Sequence, residues 1–388
     1  MNNANQKNTI LIATGGTGGH IFPSLSIINQ IQNHLFIIIT DERGKNYFNN
    51  SFINKEINFK IFTHRVSSPS NKFLINKLKS FLQIFISTFQ SILLILNYKP
   101  DAVIGFGGYP SVAPILAAKI FNIPSIIHEQ NTVIGRANKL LCKISDVLAL
   151  SFSKTKNLPN IKKSIYTGNP VRKEFYEIGK HKYLLPNKKR EYFYILIYGG
   201  SLGSSFLSEH LTSIICSLPQ DMKKKIKIIQ QVRKEEIEFV RESYKINKID
   251  SEISSFFEDI SIKFKIAHLI ITRSGGSSVA EILASNRPVI FIPLPTALDN
   301  HQYENARFIE SNKGGWLISQ TNKNISELEN LIKNILLNPN KLVEASNQIK
   351  KLSNKLKGLR DNKTPAEILC ECILKIKNNN KKIVSSIC

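Results

Sequence analysis

Four apolar runs in this chain each stop at a cluster of glycines and then resume as a helical pattern. Residues 9–14 lead into Gly15-Gly16-Thr17-Gly18-Gly19-His20, and residues 100–105 into Gly105-Phe106-Gly107-Gly108-Tyr109-Pro110-Ser111. Residues 194–198 lead into Gly199-Gly200-Ser201-Leu202-Gly203-Ser204. Residues 268–272 lead into Arg273-Ser274-Gly275-Gly276-Ser277-Ser278-Val279-Ala280-Glu281. Short continuous apolar runs suit strands buried on both faces, as in parallel sheets. Glycine lets the chain turn sharply at the strand end and lets a ligand approach the backbone. The following helix opens with free N–H groups and a positive dipole end, which suits a phosphate. The first turn is not a P-loop, because no Lys-Ser/Thr follows its glycines, but it is a plausible anion cradle. Glu281 falls in the first turns of its helix, where a carboxylate can accept from ribose hydroxyls.

Strand and helix alternate in both halves, which predicts two doubly wound α/β domains. Further strands are expected at 35–40, 59–63, 125–128, 147–150 and 226–231. The strand at 125–128 ends in His128-Glu129-Gln130-Asn131, four polar residues at a position where α/β sites are built. Ser111 is a good N-cap for the helix that follows it. Residues 173–191 are charged, lack a period and contain Pro186, and read as an interdomain linker. A last helix spans 364–376 with Pro365 at its start, before a basic tail. Ligand is expected in the crevice between the halves.

Lys and Arg number 53 against 29 Asp and Glu, a net charge of +24. The basic residues are scattered among Asn and Ile, without an aromatic-and-basic RNA-binding signature, so nucleic acid is not an expected partner. The five cysteines are odd in number and have no metal-ligand spacing, as expected of free thiols in a reducing compartment. The N-terminus lacks the apolar core of a signal peptide. Residues 80–98 carry no charge. There Ser80, Gln83, Ser87, Gln90 and Ser91 form one stripe and Phe81, Phe85, Phe89 and Leu93 the opposite face. That is an amphipathic helix, expected to pack on a sheet rather than to span a membrane.

Gly15–His20, Gly105–Ser111, His128–Asn131, Gly168-Asn169-Pro170-Val171-Arg172, Gly199–Ser201, Arg273–Glu281 and Asp299-Asn300-His301-Gln302 occur in an order that resembles the MurG-like family. These are UDP-N-acetylglucosamine (UDP-GlcNAc) transferases that convert lipid I to lipid II. The resemblance implies a GT-B fold of two Rossmann-like domains and an inverting single displacement. In it the acceptor 4-hydroxyl attacks the anomeric carbon and UDP leaves. The N-terminal domain, 1–172, would bind the undecaprenyl-linked muramyl-pentapeptide acceptor and associate with the membrane. The C-terminal domain, 192–362, would bind UDP-GlcNAc, with 173–191 as linker and 363–388 as terminal helix and tail.

The resemblance places Arg172, Ser201, Phe257, Gly276, Ser277, Ser278, Val279, Ala280, Glu281 and Gln302 around the donor, with Thr17, Gly18, Gly19 and Asn131 closing on it. Gly16, Gly107, Gly108 and Tyr109 fall on the acceptor side. His20 is the first choice of base and Glu129 its rival, while a diphosphate-contacting or capping role remains open for His20 and a positioning role for Glu129 and Tyr109. The chain has no Asp-x-Asp, so no metal and no cofactor is implied. Glycine amides, helix N-termini and Arg172 would meet the leaving charge instead. Leu202 stands where the family usually has Gln. Lipid-linked acceptor implies a peripheral enzyme on the cytoplasmic face of an anionic bacterial inner membrane, with residues 73–85 and neighbouring lysines as docking patch. Another lipid glycosyltransferase of this fold, a sugar-nucleotide epimerase and a non-catalytic binding module are the competing readings.

Overall fold

The structure is a computed structural model describing residues 8–48, 52–65, 74–160, 163–186, 192–200 and 203–378. Its contacts divide the chain into two units, Met1–Val171 with Leu359–Cys388, and Arg172–Gly358.

The first unit is built on β1 (Asn8–Ala13), β2 (His34–Thr40), β3 (Asn58–Thr63), β4 (Ala102–Gly105), β5 (Ser125–Glu129), β6 (Val147–Leu150) and β7 (Ser164–Tyr166). They lie in the order β3-β2-β1-β4-β5-β6-β7, every neighbour parallel. The two-residue pleat sends Ile10 and Ile12 to one face and Leu11 and Ala13 to the other. Both faces are covered, which is why β1 reads as an unbroken apolar run. On the first face the helix Gly18–Ile28 lies beside the helix Pro365–Asn378, through Ile21, Leu25, Leu369 and Ile373. The last helix therefore completes the core of the first unit, although it follows the second unit in sequence. Cys370 and Cys372 are both buried in that packing, and burial pushes the Cys370 thiol up to about 12.

The long helix Leu74–Tyr98 buries its serine face rather than its aromatic one. Ser80, Ser87 and Ser91 are buried, and the helix packs against Val112–Ile120. Phe81, Phe85 and Phe89 are instead 62%, 73% and 59% exposed. Small side chains allow the two helices close approach, and Ser91 donates to the Ser87 carbonyl at 2.7 Å, so its hydroxyl costs little when buried. By length and composition Leu78–Tyr98 is long and apolar enough to cross a membrane.

The second unit contains β8 (Phe193–Tyr198), β9 (Ile226–Gln231), β10 (Asp250–Ser254), β11 (Leu269–Thr272), β12 (Val289–Phe291) and β13 (Gly315–Leu317). Their order is β10-β9-β8-β11-β12-β13, again all parallel. Within the stretch expected to be linker, Lys173–Lys180 forms a helix with Phe175 and Ile178 buried, packed on the helix Gly276–Ser285.

Each sheet reverses its strand order once, at β1/β4 and at β8/β11. Ligands of doubly wound sheets bind outside the carboxyl ends of the strands at such a reversal. Ala13 pairs with Gly105, and Tyr198 with Thr272. The four glycine turns, far apart in sequence, thus meet as two pairs, one at each reversal.

Candidate functional site

In the first unit, the turns after β1 and β4 touch backbone to backbone. A Cβ on Gly108 would lie 3.3 Å from Gly15 Cα. The His20 ring occupies the remaining space: a Cβ on Gly107, where φ is +83°, would lie 3.2 Å from both Cε1 and Nδ1. Only glycine combines that backbone with that clearance. Thr17 is the N-cap of the helix Gly18–Ile28 but makes no side-chain capping bond, so Gly18, Gly19 and His20 open the helix at the reversal. Gly16 has another constraint, because its Cβ would overlap the Asp41 carboxylate. Asp41 follows β2, accepts from Gly44 N at 2.9 Å, and is held below the ordinary carboxylate range against burial by Arg43 and by the Gly44 and Gly16 amides. Asp41 therefore positions the first turn. Its signal in the sequence is an Asp at a strand end before a short polar helix. Tyr109 is half-buried in the second turn. Ser111 does not cap; its hydroxyl donates to Gly107 O at 2.8 Å and Ala13 O at 3.1 Å, tying the two turns together.

Glu129 is 1% exposed. Its carboxylate accepts from Asn131 N and Gly135 N at 2.9 and 2.8 Å, and from the Asn131 and Asn138 side-chain amides at 3.1 and 2.8 Å. Four donors on one carboxylate describe an organiser of the turn, which also orients Asn131. This geometry favours the positioning role over the rival-base role. His128 is fully buried, and burial lowers its imidazole to about 4, so it is neutral. Its Nε2 faces Gly168 O at 3.1 Å.

In the second unit, Gly275 is the N-cap of the helix Gly276–Ser285 and a Cβ there would meet nothing within 4 Å, while Gly276, Ser277 and Ser278, which form the first turn, are buried. Val279 is fully buried as well, and its N–H donates to Gly275 O at 3.0 Å. Ala280 is half-buried. Glu281 is 7% exposed, and burial raises its carboxyl to about 7 although Arg172 and the Tyr198 hydroxyl favour the charge. Tyr198, unremarked in the sequence, ends β8 and donates to Glu281 at 3.5 Å. Arg172 stacks over Phe175 and donates to Glu258 O at 3.4 Å. Phe257 is half-buried beneath Lys263. Gln302 Oε1 accepts from Leu294 N at 3.0 Å, and its carbonyl accepts from Ser274, so it fastens its helix to the fourth turn. Arg273 is the staple of that turn, donating to Ile292 O at 2.8 Å, Pro293 O at 3.2 Å and Ser204 Oγ at 2.7 Å. Ser201 and Leu202 lie outside the described residues. Among the described residues no group of His, Cys, Asp and Glu has the arrangement of a metal site.

Two parallel-sheet units, each with glycine turns and a helix N-terminus at its strand reversal, define the GT-B architecture. Residues 10–149 match the N-terminal domain of glycosyltransferase family 28 and residues 194–382 its C-terminal domain. The chain belongs to this family. It is 36% identical over 344 residues to the UDP-N-acetylglucosamine–N-acetylmuramyl-(pentapeptide) pyrophosphoryl-undecaprenol N-acetylglucosamine transferase of Wolbachia sp. subsp. Drosophila simulans (strain wRi), covering 88% of this chain and 94% of the relative. It is 35% identical over 381 residues to the enzyme of the same name from Rickettsia prowazekii (strain Madrid E), with 90% and 96% covered. The crystal structure of Acinetobacter baumannii MurG superposes with a TM-score of 0.68 at 25% identity, over 95% of this chain and 99% of that one. A UDP-GlcNAc 2-epimerase from Neisseria meningitidis shares the fold at 14% identity, with a TM-score of 0.62 and coverage of 95% and 100%.

Proposed function

We infer that the chain transfers GlcNAc from UDP-GlcNAc to the 4-hydroxyl of MurNAc in undecaprenyl-pyrophosphoryl-MurNAc-pentapeptide, forming lipid II for peptidoglycan synthesis. The observation that carries the donor half is Glu281, a buried carboxylate one turn into a helix that starts from Gly275, a glycine with open space around it. A diphosphate fits the amides, and the ribose hydroxyls that follow it would give Glu281 the hydrogen bonds that burial denies it. Ser201, Phe257 and Gln302 complete the donor set of the second unit in this reading, and Thr17, Gly18, Gly19 and Asn131 are the donor-contacting residues of the first.

The acceptor proton passes to His20 as its oxygen bonds to the anomeric carbon and the carbon–oxygen bond to UDP breaks. The electron pair of that bond leaves with UDP, and the helix N-terminus and Arg172 meet the growing charge. Gly16, Gly107, Gly108 and Tyr109 line the acceptor side. The exposed aromatic face at Phe81, Phe85 and Phe89, with the exposed Lys79, is the membrane-facing surface. Of the sequence-derived patch at 73–85, Phe73 lies outside the described residues. This helix would lie on the cytoplasmic face of the inner membrane rather than cross it. Its serine face is packed on the protein, and its end runs almost at once into β4.

Incubation with UDP-GlcNAc, with and without a lipid I analogue, tests the reading. Acceptor-dependent UDP release with GlcNAc incorporated into that analogue is expected. Incorporation only into another lipid, epimerised sugar nucleotide, or no reaction would overturn it.

A further inference from the structure

Gln130 lies between the two halves of the His128–Asn131 turn and is 2% exposed. Its amide nitrogen is 2.8 Å from Phe106 O and 3.1 Å from His128 Nδ1. The direction of this amide follows from its surroundings. His128 is neutral and its Nε2 faces the Gly168 carbonyl, which can only accept, so the proton sits on Nε2 and Nδ1 is an acceptor. Phe106 O is an acceptor as well. Both inner contacts of Gln130 therefore require its NH2 group, and Oε1 must point the other way. Gln130 Oε1 is buried and has no hydrogen-bond partner. It borders the same space as the His20 ring: a Cβ on Gly107 would lie 3.3 Å from Gln130 Oε1 and 3.2 Å from His20 Nδ1, although the two atoms are not hydrogen-bonded to each other in this structure. The missing side chain of Gly107 keeps open the gap these two atoms share.

We propose that Gln130 is the positioning residue of His20, accepting a hydrogen bond from its Nδ1–H and so turning Nε2 towards the acceptor hydroxyl. This rests on the reading of His20 as base. As the acceptor O–H bond breaks, its proton joins the Nε2 lone pair while the oxygen keeps the bonding electrons for the anomeric carbon. The resulting imidazolium holds its Nδ1–H against Gln130 Oε1, and the bond shortens as the charge forms. An amide serves here where many His bases use a carboxylate. It orients the ring without adding a negative charge beside a departing diphosphate.

The test compares Gln130→Leu with Gln130→Glu by the pH dependence of kcat/KM and by 15N NMR of the imidazoles in the full chain. Titratable groups on the surrounding elements are Asp41 after β2, His128 and Glu129 on β5, and Tyr109 in the second turn, and none is altered in either variant. Leu removes the acceptor and should move the acidic limb down by about one pH unit, whereas Glu should move it up. The wild-type His20 should show the Nδ1–H tautomer, and the Leu variant should lose that preference. Both variants strand His128 Nδ1 and Phe106 O, so both lose thermal stability. Opposite limb shifts at similar stability distinguish positioning from a structural role. Limbs that stay together, or a wild-type Nε2–H tautomer, would overturn the proposal. His20→Ala separates the two layers, since near-normal turnover there removes the base reading itself.

Discussion

Glu281→Gln should make the protein more stable above neutral pH while making it a poorer binder of UDP. Burial raises the Glu281 carboxyl from 4.5 to about 7. At about 1.4 kcal/mol per pH unit, holding it ionised in the folded state costs about 3 kcal/mol. The sign follows from the direction. The folded protein binds this proton more tightly than the unfolded chain, so the group leaves stability untouched below about pH 4.5 and erodes it as pH rises towards 7. Above that the loss is constant. Glutamine has the same shape, keeps an acceptor for the Tyr198 hydroxyl and carries no charge. The raised pKa already includes the attraction of Arg172, so the substitution removes the whole cost of about 3 kcal/mol. For a unit of this size that is a rise in Tm of about 6–12 °C at pH 8, shrinking to nothing near pH 4.5. Calorimetry across that range reads the effect, and titration with UDP reads the function. Losing a charge-assisted bond to ribose should weaken UDP about tenfold or more. A stability difference that ignores pH would refute the buried-charge argument, and unchanged UDP affinity would refute the ribose assignment.

Other changes probe separate parts of the molecule. His20→Ala should lower turnover about 100-fold or more while UDP-GlcNAc affinity by calorimetry stays nearly the same. Phe81, Phe85 and Phe89 changed together to Ser should abolish binding to anionic vesicles without lowering Tm, because all three are exposed; retained vesicle binding would locate the docking surface elsewhere. Arg273→Met should cost about 3 kcal/mol or more in denaturant unfolding, because it strands the Ile292 and Pro293 carbonyls and Ser204 Oγ.

Much of the fold was legible because its signals are local. Apolar runs that end in glycine mark parallel strands and their turns, and the structure has a strand or helix in each of those places. The fourth glycine turn was legible too, since Gly275, Gly276 and Glu281 are close in sequence and their spacing already puts a carboxylate near the start of a helix. What could not be read was orientation. The helix at 74–98 has two unlike faces, and its sequence does not say which of them packs on the protein. Which face turns inward depends on its neighbour: the helix Val112–Ile120 takes the serine stripe, and the phenylalanines are left outside. Glu129 presents the same difficulty. As a residue type it is a candidate base, and only its four donors show that its lone pairs are already taken.

The sequence by itself determined where each strand ends in glycine, and hence that this chain builds two doubly wound sheets with anion-ready turns. Pairing those turns was left to tertiary structure. Gly15 meets Gly108 and Tyr198 meets Glu281 because strand order, not chain order, reverses at β1/β4 and β8/β11. The burial that tunes Glu281 and the meeting of Gln130 and His20 beside Gly107 arise from the same long-range packing, which no local spacing encodes.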